Sequence, residues 1–355
     1  MLEIAAEWVD ERVVPGIAVA VSQHGHIAAE YYGGKQAAGG GSAVEPSTLY
    51  SVASITKVYT ATAFMHLVDQ GAIGLDEPVR RVVPAFGGAD KREVSFREML
   101  CHISGMPKDD PNEAALWDSA AGFDEIAKSA ASLPLAAPPR QQVIYSNAAY
   151  WVLGAAIATL TGLSFPDALT TEVLSRFGLN DTFIVPPRME YDRIARRYGR
   201  AKIMNAPYGR DLGSPSAGVF ATARDLVAVA NVFLAGGRLD DRREVLSAAS
   251  VTEMTTNQTD ALPGGIDGVR PWTQCPWGLG WEVKGKKLNH WTGDFTSPAT
   301  ISHIGQSGAL LWADPATGIA CAILANRDLA TGWTDAPARW ARLNNAIVVA
   351  LTGTP

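Results

Sequence analysis

Residues 54–70, SITKVYTATAFMHLVDQ, carry one unbroken helical pattern that is apolar on every side. Val58, Ala61, Met65 and Val68 follow the helical repeat, and Tyr59, Ala63, Phe64 and Leu67 fill the remaining faces. Gly71 supplies a left-handed stop. A helix without a polar face must lie inside the protein, so the other elements have to be arranged around it. Its first turn departs from the apolar pattern. Ser54-Ile55-Thr56-Lys57 puts a hydroxyl and an amine on one face, their Cβ atoms roughly 5–6 Å apart. A serine hydroxyl needs a positioned base before it becomes a nucleophile. A neighbouring lysine can help if burial lowers its pKa, or can act as a fixed positive charge. The helix N-terminus favours developing negative charge. A capping serine followed by a solvated lysine has the same spelling, so the motif takes its meaning from the rest of the chain.

The 355 residues suffice for a large core and two domains, and 47% hydrophobic with 19% charged residues is ordinary for a compact protein. A net charge of −6 and a pI near 5.6 argue against nucleic acid or an anionic membrane as the main partner. Cys101, Cys275 and Cys321 are odd in number and lack metal-ligand spacing, so no disulfide framework is implied. The opening MLEIAAEWVDERVV is acidic and amphipathic, where a secretory signal would be basic and then apolar; the expectation is a cytoplasmic protein. No window reaches the ~18 consecutive apolar residues of a membrane span.

From the start of the chain, residues 2–12 read as a short helix and Gly16–Ser22 as a strand. A turn at Gln23–His26 leads to a returning strand, Ile27–Tyr32. His24 and His26 have no carboxylate or cysteine beside them, which disfavours a metal site. Gly39-Gly40-Gly41 lacks the strand–GxxxxGK[ST]–helix setting of a phosphate loop and reads as flexible surface. Further helices are expected at Ser95–Cys101, 112–133, Ala148–Leu160 (stopped near Gly162), Phe165–Phe177, from Thr222 to Leu234, 240–255 and 335–351. Ser302–Gly308 leads into Ala309–Ala313, and a turn at Asp314–Gly318 leads into Ile319–Asn326. Strands therefore lie at both chain ends with helices between them. This predicts an α+β fold: an antiparallel sheet built from both ends and flanked by helices, plus an inserted all-helical region. The expected division is 1–75 with 205–355 as the sheet domain and 76–204 as the helical one, with the active site in the cleft between them.

Several other residues invite a chemical role. Tyr145-Ser146-Asn147 ends an extended segment and can direct a phenol and an amide into a cleft; equally, the tyrosine can pack and the asparagine can cap the next helix. A tyrosine is a credible base only where neighbouring cations lower its pKa from ~10, and Lys57 is a candidate for that cation. His102 is better suited to holding loop backbone than to catalysis. Arg188, Arg193, Arg196, Arg197, Arg200 and Lys202 make a basic run that reads as a solvated face. The turn-rich stretch 256–300 holds Trp272, Trp277, Trp281 and Trp291, of which Trp272 and Trp291 are candidates for an apolar substrate wall.

The order Ser54-Ile55-Thr56-Lys57, then Tyr145-Ser146-Asn147, then His303-Ile304-Gly305 resembles the penicillin-recognising serine hydrolases of the β-lactamase/transpeptidase-like fold. A tyrosine in the second motif is most similar to the class C β-lactamases, D,D-carboxypeptidases, D-aminopeptidases and family VIII carboxylesterases. Leu100–Pro107, Gly178–Thr182, Gly218–Leu226 and Trp277–Trp281 extend the resemblance over nearly the whole chain.

That resemblance implies that Ser54 is acylated and that Lys57 and Tyr145 share the proton work, with Tyr145 as base. It implies that Asn147 positions Lys57 and a substrate carbonyl or amide. The backbone N–H groups of Ser54 and Gln306, the residue after Gly305, would form the oxyanion hole. No metal or organic cofactor is implied. One departure stands out. The β-lactamases and D,D-peptidases begin the third motif with a lysine or arginine, whereas His303 is largely neutral near pH 7. The reading that follows is a carboxylesterase-type serine hydrolase on a small-molecule ester. The alternatives are a D-amino-acid amidase or peptidase, or a weak β-lactamase, and a non-catalytic ligand-binding member of the fold.

Overall fold

The computed structural model describes residues 1–199, 202–266, 269–331 and 333–353, so Arg200 of the basic run lies outside the described residues. The central sheet has seven strands. The start of the chain supplies β1 (Gly16–Gln23), β2 (His26–Ala37) and β3 (Gly40–Ala43). The end supplies β4 (Glu282–Val283), β5 (Ile301–Gly305), β6 (Ala309–Asp314) and β7 (Ile319–Ala325). Their spatial order is β4-β5-β6-β7-β1-β2-β3, and every neighbouring pair is antiparallel. The chain ends meet at β1 and β7, where Ile17 pairs with Ala325 and Gln23 with Ile319. The expected sheet from both chain ends, flanked by helices, is therefore present.

Register shows why β1 and β7 read as continuous apolar runs. Trp312, Cys321 and Val21 lie side by side across β6, β7 and β1, and Ala313, Ala320 and Ser22 form the next row on the opposite face. Both faces are covered. Ser22 donates its hydroxyl to Asn231 Oδ1 (2.7 Å) in the helix Ala223–Leu234. Trp312 donates Nε1–H to Asn344 Oδ1 (3.0 Å) in the closing helix Ala336–Thr352. On that second face α1 (Glu3–Asp10) adds Trp8, which meets Trp333 edge-on at 6.4 Å.

Every residue of α2 (Thr56–Asp69) from Thr56 to Leu67 is buried, as its all-round apolar pattern demands. It packs against α6 (Asn147–Thr161), whose N-cap is Ser146 and whose stop is Gly162 at φ +70°. Between them, α3 (Phe96–Leu100) starts at a capping box of Ser95 and Glu98. The expected helix over 112–133 is two helices, α4 (Glu113–Asp118) and α5 (Phe123–Ser132), separated around Gly122. Over 240–255 only Ala248–Thr255 is helical, because Asp69 takes both the backbone N–H (2.8 Å) and the hydroxyl (2.7 Å) of its cap, Ser247. The three glycines at 39–41 are not a loose loop. All have positive φ and turn β2 into the edge strand β3. The stretch 256–300 contains a hairpin, Gly264–Ile266 with Arg270–Trp272, whose first strand runs parallel to Val143–Ile144 just before Tyr145. Among the described residues no single helix is long and apolar enough to cross a membrane.

One close approach joins the sheet to the serine turn. A Cβ on Gly305 would collide with the carbonyl oxygen of Val52, two residues before Ser54. Gly305→Ala should therefore cost about 1–3 kcal/mol through overpacking, read as a lower urea midpoint at unchanged m-value. It should also slow labelling of Ser54 by a fluorophosphonate. An unaltered midpoint would show that β5 and the serine turn are not in this contact.

Candidate active site

Ser54 lies in a 3₁₀ turn, Ala53–Ile55, that runs directly into α2. Ala53 has φ +45°, an uncommon conformation for a residue with a side chain, and it persists because the flanking backbone is fixed. Tyr50–Ser51 pairs with Phe220–Ala221, and Val52 N–H donates to Val219 O at 2.9 Å. Behind the turn stands Gly305. Among the described residues, neither Ser54 N–H nor Gln306 N–H donates to a backbone carbonyl. The serine turn and the end of β5 thus meet, as an oxyanion hole built from these two N–H groups would require.

Lys57 is fully buried, and its Nζ donates to Asn147 Oδ1 (2.6 Å) and to Ser216 O (3.0 Å). It also lies 4.8 Å from the ring centre of Tyr145 and 5.4 Å from that of Tyr150. Burial pulls its pKa down from the ordinary lysine value to about 7, against an upward push from Asp109 and Glu113 and with a further downward one from Lys108. A neutral amine has two hydrogens and one lone pair. Asn147 and Ser216 take the two hydrogens, which leaves the lone pair for the side of the amine they do not occupy.

Tyr145 is 5% exposed, and the Ser54 side chain lies near enough to its phenol to affect its titration. Burial raises its phenol pKa above the ordinary value, and the nearby Ser54 side chain offsets only part of that rise. Lys57 was the cation expected to lower it, but a buried, near-neutral lysine exerts no such pull. Asn147 is the first residue of α6, and the cap is its neighbour Ser146, whose Oγ accepts from Ala149 N–H (2.9 Å) and donates to Pro107 O (2.6 Å). The Asn147 side chain is thereby free to hold Lys57 and to donate Nδ2–H to Asp109 Oδ1 at 2.5 Å.

Both neighbouring histidines are neutral. His303 Nδ1–H donates to Ile304 O (2.8 Å), and burial followed by the nearness of Lys57 pushes its pKa down to about 3. His102 Nδ1 accepts the backbone N–H of Ser146 at 3.1 Å, and its ring packs against Tyr145 at 4.6 Å, tilted by 37°. It holds loop backbone, as the sequence suggests.

The tryptophans divide differently from expectation. Trp291 has no exposed surface and uses its Nε1–H on Ser302 Oγ (3.3 Å), so it presents no wall to a substrate. Trp272 is half-buried, in the outer strand of the hairpin beside Val143. The tryptophan that contacts the motif residues is Trp277, 5.0 Å from His102, 5.9 Å from Tyr145 and 6.0 Å from His303. Sequence reasoning also missed Asp109 and Ser216. Nothing marks Ser216, since only its backbone carbonyl is used. The proximity of Asp109 to the Leu100–Pro107 segment was the available signal. Among the described residues no three His, Cys, Asp or Glu side chains converge as metal ligands.

The sequence matches the Beta-lactamase family over residues 3–344. It is 30% identical to penicillin-binding protein 4 of Amycolatopsis lactamdurans over 91% of this chain and 84% of that one. Its fold is similar to that of a penicillin-binding protein homologue from Caulobacter crescentus, with a TM-score of 0.83, 23% identity and coverage of 98% and 96% of the two chains. A family VIII carboxylesterase is similar at a TM-score of 0.81, with 21% identity and coverage of 97% and 95%. The chain therefore belongs to the beta-lactamase family and is a serine hydrolase of the β-lactamase and penicillin-binding protein superfamily.

Proposed function

We propose that the protein is a carboxylesterase acting through an acyl-enzyme on Ser54. Lys57 takes the hydroxyl proton, directly or through the Tyr145 phenol, whose ring centre lies 4.8 Å from the amine. Ser54 Oγ then bonds to the ester carbonyl carbon, and the oxyanion accepts hydrogen bonds from the N–H groups of Ser54 and Gln306. Collapse breaks the carbonyl–alkoxy bond, and the alcohol leaves with the proton held by Lys57. Water repeats the sequence on the acyl-enzyme and releases the acid. Burial favours a protonated Tyr145, so the amine is the better resting base of the two.

The observation that carries the ester reading is the neutral, buried His303 at the head of the third motif. A substrate carboxylate, present in every penicillin, meets no cation there. The 30% identity to a protein named penicillin-binding protein 4 favours a second reading, an amide-cleaving D-amino-acid amidase or peptidase.

Rates on p-nitrophenyl butyrate, nitrocefin and D-alanine p-nitroanilide separate these readings. Ester turnover should dominate, with a p-nitrophenol burst that disappears in Ser54→Ala. Faster cleavage of the anilide would replace the ester reading with the amidase one, and faster nitrocefin turnover would make the protein a β-lactamase.

The pH profile tests the base. Lys57 is protonated below about 7 and neutral above it, so acylation should rise with pH through about 7 and then level off. Lys57→Arg, permanently charged, should lose about 10²–10⁴-fold in acylation rate. A profile flat from pH 5.5 to 8.5 would assign the proton to another group.

A further inference from the structure

The loop between Pro107 and Glu113 is clamped at every step. Pro107 O accepts from Ser146 Oγ (2.6 Å), and Lys108 O accepts from the backbone N–H of Asn147 (2.6 Å) and of Ala148 (3.2 Å). Asp110 accepts from Asn112 N–H (2.8 Å) and from Ser129 Oγ (2.5 Å) on α5. Between these clamps stands Asp109, whose Oδ1 receives Asn147 Nδ2–H at 2.5 Å. An asparagine side chain has two faces that differ only in hydrogen-bond polarity. Flipped, Asn147 would set its carbonyl oxygen against the Asp109 carboxylate, acceptor to acceptor, and would turn an NH2 towards the amine's lone pair, the one that proton transfer needs.

We infer that Asp109 is a positioning residue: it locks the Asn147 amide so that Oδ1 faces Lys57, and so aims the amine at Ser54. The inference rests on the reading of Lys57 as the base, and extends it to a residue outside the three motifs. A carboxylate does this better than a neutral acceptor because a charge-assisted bond from the amide is stronger. It also acts on Lys57 through its charge. The groups facing that amine are Asp109 and Lys108 from the clamped loop, Glu113 from α4, Tyr145 and Tyr150 from the α6 region, His102 from the loop after α3 and His303 from β5. Asp109 is the foremost of the two carboxylates that favour the charged amine.

Two substitutions separate orientation from charge. Asp109→Ala removes both, and Asp109→Asn keeps an acceptor for the Asn147 amide while removing the charge. For Asp109→Ala, kcat on p-nitrophenyl butyrate should fall by about tenfold to a hundredfold, with KM within about twofold of wild type. Asp109→Asn should recover most of that loss. In both variants the pH limb assigned to Lys57 should move to lower pH, because the anion that favours its charged form is gone. Rates of fluorophosphonate labelling at Ser54 should follow the same order without any ester substrate. If the wild type cleaves no ester, the ester reading falls, and the labelling series still decides the role of Asp109.

A rise in KM at constant kcat would make Asp109 a substrate contact instead and overturn the inference. So would wild-type labelling and an unmoved pH limb in Asp109→Asn. If Asp109→Ala does not fold, Asp109→Leu, of similar size and likewise without acceptor or charge, takes its place in the same comparison.

Discussion

An amine with no water around it is expensive to keep charged, and the placement of Lys57 follows from that constraint. Full burial leaves two ways to limit the cost: neutralise the amine, or surround it with acceptors. The structure does both. Its pKa drops to about 7, and its hydrogens go to Asn147 and Ser216. To supply the second acceptor, the segment 214–219 must be strapped to α2. Thr60 donates its hydroxyl to Pro215 O (2.7 Å), and Thr56 accepts Val219 N–H (3.0 Å). The strap also needs room on α6, where a Cβ on Gly154 would come within 2.9 Å of the Pro215 ring. The threonines and the glycine that interrupt two apolar helices are thus the fittings that bring a carbonyl to the lysine.

Beneath Tyr145 a second buried charge is treated in the opposite way. Lys287 and Glu282 have no side-chain exposure and stay paired at 2.7 Å. Lys287 also donates to Pro276 O and Val283 O, each at 2.9 Å, so all three of its hydrogens are used. A satisfied pair of this kind adds little stability over an apolar equivalent, but it fixes geometry. Here it spans both ends of the turn after Trp277 and holds Lys287 Nζ 5.6 Å from the Trp277 ring. That ring in turn packs on His102, Tyr145 and His303. The contrast between the lysines is chemical. Lys287 has a carboxylate in direct contact, whereas Lys57 has only amide and peptide oxygens, a setting in which an amine gives up its proton more readily.

Much of this was legible in the sequence, for identifiable reasons. α2 and α6 were readable because an apolar pattern on all sides leaves burial as the only outcome, and because Gly71 and Gly162 mark their ends. β1 and β7 were readable as strands, and a shared antiparallel sheet followed from strands at both chain ends, but which strands pair did not. The failures lie where local pattern and tertiary anchoring disagree. Residues 240–247 looked helical, but Asp69, from a helix nearly 180 positions away, fixes the start of the helix at Ser247. Trp291 looked like a pocket wall because an aromatic residue in a long loop has no visible partner in sequence; its partner, Ser302, lies across a strand pair. Asp109 was passed over because its function is a hydrogen bond to one side chain, and no periodicity records such a bond. The roles of Ser54, Lys57 and Tyr145 came through resemblance rather than spacing, since Ser-x-x-Lys alone also describes a helix cap.

The electrostatic character of the surroundings of Ser54 follows from these placements and bears on the proposed choice of acyl group. Burial holds His102 and His303 neutral and Tyr145 protonated, and brings Lys57 to the edge of neutrality. None of these groups offers a full resting cation next to Ser54. Asp109 is anchored to Asn147, burial with Asp109 and Asp110 nearby raises Glu113 to about 7, and Lys108 also lies near the amine. An incoming carboxylate would therefore meet no resting cation at the head of the third motif, and its desolvation is a cost that a neutral acyl or alkoxy group avoids. The single-letter change from a cation to histidine at the head of the third motif has this effect only because β5 buries His303 completely. At an exposed position the same histidine would titrate near neutral pH and could supply the missing charge. On the proposed ester reading, discrimination against a substrate carboxylate is thus a property of sheet packing as much as of residue identity.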